Sequence, residues 1–364
     1  MNKAAKVLGR CTRCETLPCL VKETGRLYLW FPLGHSVNKI INYLHSYGHE
    51  YQLLDDEQCL IICLNENEIT VTANELEAVL TSKELQDTQV LFTSGTAQPQ
   101  LRDFSRIVKL SEFVNLHQSG WLLNMLAAER FTHHFQPIVD AADTSRIFAQ
   151  EALLRGIDEN GSLIAPSPML SVARKANLLF QLDRAARLTA IREAVRLKLS
   201  HRIFINFTPT AIYDPAFCLR STVSAIEQAG IAHENIVFEV TESEQAQDTS
   251  HLKNILRFYR DAGFLIALDD LGAGYSSLNL IHQLRPDFIK LDMELVRNVH
   301  QDPYKAVITE KILDIAGSLN IKTIAEGVEH QEELYWLRDR GTTFVQGYLI
   351  ARPSAQPVVN TPRL

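Results

Sequence analysis

Long hydrophobic runs are missing from this sequence. No stretch approaches the roughly 20 uninterrupted apolar residues that cross a bilayer, and the start, MNKAAKVLGRCTRC, lacks the apolar centre of a secretion signal. No membrane insertion is expected, and the sequence reads as cytoplasmic. A basic excess is missing too: 36 lysines and arginines face 43 aspartates and glutamates, a formal net charge of −7 with mixed signs. Proteins that coat DNA or RNA need a basic face, so neither is an expected partner. A small anionic ligand stays open, because a metal ion can supply positive charge. Cysteine is scarce, six in 364 residues with five before residue 64, unlike the lattice of a secreted disulfide protein. Cys11, Cys14 and Cys19 form a CxxCxxxxC run that leaves a zinc site open. No fourth ligand is evident, so plain reduced thiols are expected there. Cys59 and Cys63 flank the apolar LII and read as core thiols.

What is present suits two domains, one near barrel size. From Arg26 to Thr93 the pattern gives strand RLYLW, a helix over 35–47, strands EYQLL and CLIICL, a helix over 73–80, and strand TQVLF. That βαββαβ order predicts a small α+β domain of ferredoxin-like type. The segment 94–118 is rich in turn residues, and the junction is placed at residue 115, giving domains 1–115 and 116–364.

Beyond it come eight short apolar segments: HHFQPIV, FAQEALL, IFINFTP, IVFEVTE, FLIALDD, FIKLD, KTIAEGV and FVQGYLI. From the second onward the intervals can house helices, over 169–199, 217–229, 248–262, 303–319 and 331–340. Eight strands alternating with helices predict an α/β fold, a closed (β/α)8 TIM-like barrel. The first interval, 140–147, is too short for a parallel crossover. The barrel is therefore expected to be modified, with an antiparallel first strand pair.

Polar residues fall within or at the ends of these apolar strands: Glu151, Asn206, Glu239, Asp269 with Asp270, Lys290, Glu326 and Gln346. In a barrel, the C-terminal strand ends build the active site, and an isolated carboxylate in an apolar run would suffer a desolvation cost of several kcal/mol. Metal coordination removes that cost. Oxygen donors without His or Cys favour Mg²⁺ or Mn²⁺. Neighbouring side chains on a regular strand point to opposite faces, but the LGAG after Asp269 and Asp270 can end the strand and turn both carboxylates to the mouth. One could then bridge two ions about 3.5–4 Å apart, a known arrangement for phosphodiester hydrolysis. Singly, each residue has an ordinary reading: an ion-paired Glu151 or Glu326, a solvated Lys290, a turn-forming Asn206, a hydrogen-bonded Gln346. Their joint occurrence, one per strand, favours a site.

The runs FQPIV (135–139), EALLR (151–155), NFTP (206–209), EVTE (239–242), DDLGAGYSSL (269–278), KLD (290–292), AEGVE (325–329) and VQGYL (345–349) occur in order over residues 120–355. Together they resemble the EAL family of cyclic di-GMP phosphodiesterases. The resemblance implies metal-dependent hydrolysis of cyclic di-GMP to linear pGpG, with two Mg²⁺ or Mn²⁺ ions per site. It implies that Glu151, Asn206, Glu239 and Asp269 ligate one metal and Asp269 with Asp270 the second, with Glu329 in the metal and water network. The implied catalytic residues are Lys290, which orients or deprotonates the attacking water, Glu326 in the same network, and Glu242, which holds the Asp-Asp loop. Gln136, Arg155, Asp292 and Gln346 are implied substrate contacts. Leu271 and Ala273 depart from the family's frequent Phe and Thr, which spares the oxygen ligands but bears on the stiffness of that loop. The alternative is a catalytically weak cyclic di-GMP receptor or protein-interaction module, a class that loses metal ligands; here every expected oxygen ligand is present. A homodimer and an unidentified regulatory partner acting through residues 1–115 are the remaining expectations.

Overall fold

In a computed structural model, residues 16–21, 23–54, 59–96, 98–241, 249–272 and 277–364 are described. Cys11, Cys14, Glu242 and Ala273, singled out by sequence, lie outside those residues. The chain forms two compact units. One comprises Thr16–Ala128 with Ser167–Leu179, and the other contains Glu129–Pro166 and Phe180–Leu364.

In the first unit, strands β1 (Gly25–Trp30), β2 (Tyr51–Leu53), β3 (Cys59–Leu64), β4 (Gln89–Ser94) and β5 (Val108–Lys109) form an antiparallel sheet in the order β2-β3-β1-β4-β5. The expected βαββαβ succession is present, with the extra strand β5 on one edge. Helix Gly34–Tyr47 follows β1 because Val37, Ile40 and Leu44, spaced three and four apart, bury one stripe. It ends at Gly48, whose φ of 71° suits a residue without a side chain. Leu27, Leu29, Leu60, Ile62 and Val90 of the sheet pack with Ile40, Leu44, Ile69 and Leu76 of the helices. The junction expected at residue 115 falls inside helix Leu110–Gln118, whose Leu110, Phe113 and Val114 belong to this core. Of the two strand thiols, Cys59 is buried but Cys63 is exposed, so the core reading fails for Cys63.

The second unit carries strands β6 (Phe131–Asp140), β7 (Ile147–Ile157), β8 (Leu163–Ile164), β9 (Arg202–Asn206), β10 (Ile236–Thr241), β11 (Leu265–Leu271), β12 (Phe288–Leu291), β13 (Lys322–Ala325) and β14 (Phe344–Val345). The sheet order β6-β14-β13-β12-β11-β10-β9-β7 closes through a β6–β7 pairing, with β8 added against the end of β7. β6 runs antiparallel to both β7 and β14, and the other neighbours in the ring are parallel. The eight-strand barrel with an inverted first strand is thus as the short 140–147 interval requires. Instead of one helix over 169–199 there are two, Pro166–Lys175, which is grouped with the first unit, and Leu179–Arg196. Asn177 breaks them apart with a φ of 56°, a conformation asparagine tolerates. No described helix is long and apolar enough to cross a membrane.

Alternation along each strand sorts the barrel into an outer and an inner face. Outward residues such as Ile203, Ile205, Phe238, Ile266, Leu268 and Ile289 share a large core with helix residues including Ala190, Leu256 and Leu313. Inward, Ile138, Ala149, Phe204, Val237, Ala267, Phe288, Ile324 and Phe344, one from each strand of the ring, cluster into an apolar plug. The lumen is filled at that level, and whatever chemistry it supports must lie above.

Candidate active site

Two residues beyond each plug residue stands a polar one: Glu151 beyond Ala149, Asn206 beyond Phe204, Glu239 beyond Val237, Asp269 beyond Ala267, Lys290 beyond Phe288, Glu326 beyond Ile324 and Gln346 beyond Phe344. On the inverted β6 the sense reverses, and Gln136 stands two residues before Ile138. Side chains two apart share a face, so these residues form a polar layer on the plug. Their side chains meet. Lys290 Nζ lies 2.8 Å from Glu239 Oε1, 2.5 Å from Glu326 Oε1, 3.2 Å from Asp269 Oδ1 and 3.5 Å from Glu151 Oε2. Asn206 Nδ2 donates to Glu239 Oε2 at 3.0 Å and Glu151 Oε1 at 3.3 Å. Gln346 Nε2 donates to Glu151 Oε2 at 2.7 Å and to Gln136 Oε1 at 3.1 Å, and Gln136 Nε2 donates to the Ala351 carbonyl.

Asp270 joins this layer by breaking the alternation. The ladder between β11 and β12 shifts register between Leu268 and Leu271, and Asp270 adopts a φ of 57°. The turning point is therefore Asp270 itself in a bulge, ahead of the glycine at 272. Gly272 serves a different need: a Cβ there would lie 2.3 Å from Leu295 Cδ1.

A cavity of about 320 Å³ opens over the layer, lined by Gln136, Glu151, Asp269, Asp270, Lys290, Glu326, Glu329 and Gln346. Leu153, Met293, Gly327, Gly347 and Tyr348 complete the lining, and sequence reasoning did not single them out. Leu153 was findable by the i, i+2 rule from Glu151. At Gly347 a Cβ would meet the Val328 backbone at 2.1 Å, a close approach that explains the glycine after Gln346. Glu329 pairs with Arg297 at 2.5 Å. Arg155 and Asp292 are not in the lining. The Arg155 guanidinium donates to the Leu154 carbonyl at 2.7 Å, and the Asp292 carboxylate caps helix Met293–Val296 by accepting from Glu294 N.

Charge dominates this layer. Burial alone would pull the Lys290 ammonium down, but Asp269, Glu151, Glu239 and Glu326 hold it well above its ordinary value. Burial pushes Glu239 and Glu326 well up, Lys290 compensates only in part, and the neighbouring carboxylates Glu151 and Asp269 push in the same direction as burial. Asp269 is raised in the same way, and Asp270 is pushed up to about 6 by burial and by Asp269 beside it. Five carboxyl groups face one ammonium, and ionising all five would leave an excess of four negative charges, which divalent cations suit. Asp269, Asp270 and Glu326 each bring an oxygen within 4.8 Å of the others. Gln346 Oε1 is buried without a hydrogen-bond partner among the described residues. An all-oxygen set of this kind fits Mg²⁺ or Mn²⁺ and offers no soft ligand for zinc or copper.

The family model of the EAL domain matches residues 119–353. The chain is 34% identical over 226 residues to the probable cyclic di-GMP phosphodiesterase PdeG of Escherichia coli (strain K12), covering 60% of this chain and 44% of that protein. It is 31% identical over 219 residues to the blue light- and temperature-regulated antirepressor BluF of the same strain, covering 60% of this chain and 53% of that protein. The chain thus spans about half the length of these relatives. Among solved structures, a standalone EAL protein from Vibrio cholerae O395 in its c-di-GMP-bound form is 38% identical with a TM-score of 0.58, over 64% of this chain and 95% of that one. With its barrel, its polar layer and that match, this chain belongs to the EAL domain family.

Proposed function

We propose that the barrel hydrolyses cyclic di-GMP to linear pGpG with two Mg²⁺ or Mn²⁺ ions. The observation that carries this reading is the intact polar layer: carboxylates of Glu151, Glu239, Asp269 and Glu326 surround one buried lysine, with Asn206 bonded to Glu151 and Glu239 and Asp270 next to Asp269, beneath an open cavity. The ions, when bound, supply charge neutralisation of the phosphate and acidify water for attack. Glu151, Asn206, Glu239 and Asp269 would hold one, and Asp269 with Asp270 the other. The chain's own part is geometric. Lys290 is an ammonium in this environment, so its role is to hold and orient the attacking water rather than to take its proton. Glu326, against Lys290, fixes that ammonium, and Glu329 sits at the cavity edge with Arg297. Gln136 and Gln346 bring amide groups to the cavity wall beside Glu151, where they can meet ribose or phosphate oxygens. Arg155 and Asp292 are proposed substrate contacts that would have to turn from their present partners.

The same proposal makes the first unit a regulatory module and the working form a cytoplasmic homodimer, for which sedimentation at micromolar concentration is the check. The relative named an antirepressor supports a second reading, a protein-interaction module, which stands beside that of a receptor that binds cyclic di-GMP without cleaving it. Purified chain incubated with cyclic di-GMP and Mg²⁺ or Mn²⁺, with the products resolved by chromatography, separates hydrolysis from both. Formation of pGpG is expected. Intact substrate alongside measurable binding would give the receptor reading its place.

A further inference from the structure

We propose that the buried pair Asp183–Arg187 is a positioning device for Asn206, an inference that rests on the reading of Asn206 as a cation ligand. Both residues lie one turn apart on helix Leu179–Arg196, outside the barrel wall, and Arg187 is only 1% exposed. The guanidinium grips one carboxylate oxygen, Asp183 Oδ2, through Nε at 2.9 Å and Nη2 at 2.7 Å. Its Nη1 donates to the hydroxyl of Thr222 on helix Arg220–Gln228. The other carboxylate oxygen, Asp183 Oδ1, accepts the backbone N–H of Thr208 at 2.7 Å.

That last bond lies two residues from the site. The β9–β10 ladder has its final pair at Asn206 and Glu239. Phe207 N still donates to the Glu239 carbonyl at 3.1 Å, and Pro209 has no N–H to give. Thr208 N–H is therefore the donor that the sheet leaves over, and Asp183 takes it. The backbone on leaving Asn206 is pinned from one side by β10 and from the other by the helix. So fixed, the Asn206 amide can turn its Nδ2 onto both Glu239 and Glu151, leaving its oxygen for a cation. An ion pair this deep is a weak means of stabilisation, since apolar packing of equal volume does as well. What it supplies that apolar packing cannot is a directed acceptor held in place by a guanidinium, itself tied to a second helix.

The test uses the full chain, ¹⁵N-labelled and metal-free, with the Asn206 side-chain NH₂ signals assigned through Asn206→Ala. Asp183→Asn should shift those signals and speed their exchange with solvent. In the same variant the Mn²⁺ dissociation constant should rise about 10–100-fold, the usual effect of removing a ligand's supporting partner. On the Asn206→Ala background, Asp183→Asn should weaken Mn²⁺ binding no further, because its effect passes through that residue. Unchanged Asn206 signals and wild-type Mn²⁺ affinity, even with a lowered unfolding temperature, would make the pair merely structural and overturn the proposal. Should Asp183→Asn not fold, the near-isosteric Thr222→Val removes only the guanidinium's outer anchor and is read by the same signals: a shift supports the positioning role, and unchanged signals overturn it. A wild-type chain that bound no Mn²⁺ would count against the proposed function, while the metal-free Asn206 signals would still decide the positioning role.

Discussion

Lys290 has the most lopsided surroundings of any described residue: 1% exposed, with four carboxylates within 3.5 Å. In the proposed reaction a point charge there would hold a water and stabilise the hydroxide formed from it, while adding little to the grip on a nucleotide whose phosphates would lie nearer the cations. Lys290→Ala is accordingly expected to lower kcat about 10²–10⁴-fold and to change cyclic di-GMP affinity, measured by calorimetry with metal present, far less. Near-normal turnover would reduce this lysine to a structural ion-pair partner. Asp270 yields a pH prediction. Its metal-free pKa is pushed up to about 6, so below that pH a proton occupies the carboxylate that a cation requires. Apparent Mn²⁺ affinity should fall as pH drops through 6, by roughly tenfold per pH unit for each proton displaced. A flat profile between pH 5 and 7 would show that Asp270 is not a ligand.

The barrel strands are the elements whose side chains decide everything else, because each carries a plug residue and a site residue on the same face. Phe288 is the plug residue beneath Lys290, packed edge-on against Phe204 and beside Phe148. Phe288→Ala opens a void that eight fixed strands cannot close, and should cost about 3–5 kcal/mol. Denaturant unfolding followed by barrel-specific signals would register this as a lower midpoint with an unchanged slope; a loss under 1 kcal/mol would mean that the plug is loosely packed. These strands were legible in the sequence because a short apolar run closed by one polar residue is uncommon outside a buried strand that ends at a site, and its repetition in order leaves little room for chance. The polar layer was legible on the same grounds. The break at Asn177 was not, since a single left-handed asparagine hardly disturbs a helical pattern. The bulge at Asp270 was assigned to the following glycines, because the aspartate's own conformation leaves no mark in composition. Asp183 and Arg187 passed unnoticed as ordinary helix charges, their burial depending on helix 220–228 and the 206–208 turn folding around them. The helix that runs across residue 115 was not legible for a related reason: Leu110, Phe113 and Val114 look like any amphipathic turn until the core that receives them is known.

At the scale of the whole molecule, a −7 chain gathers five carboxyl groups beside one lysine at the mouth of its barrel. The balance there calls for cations, and their size matters to the chemistry. Calcium takes more ligands at longer distances than magnesium, so the intact chain should bind Ca²⁺ yet turn over poorly, with Ca²⁺ inhibiting the Mg²⁺- or Mn²⁺-supported reaction. Undiminished turnover with calcium as the sole divalent ion would contradict the metal role. The polar layer on the apolar plug is proposed as a two-cation site facing cyclic di-GMP. Anomalous diffraction from crystals grown with Mn²⁺ and cyclic di-GMP tests it most directly. Two manganese peaks are expected in the cavity bridged by Asp269, one against Glu151, Asn206 and Glu239 and the other against Asp270, with a phosphate of the nucleotide over both. A nucleotide bound there with no manganese peak among those residues would contradict it.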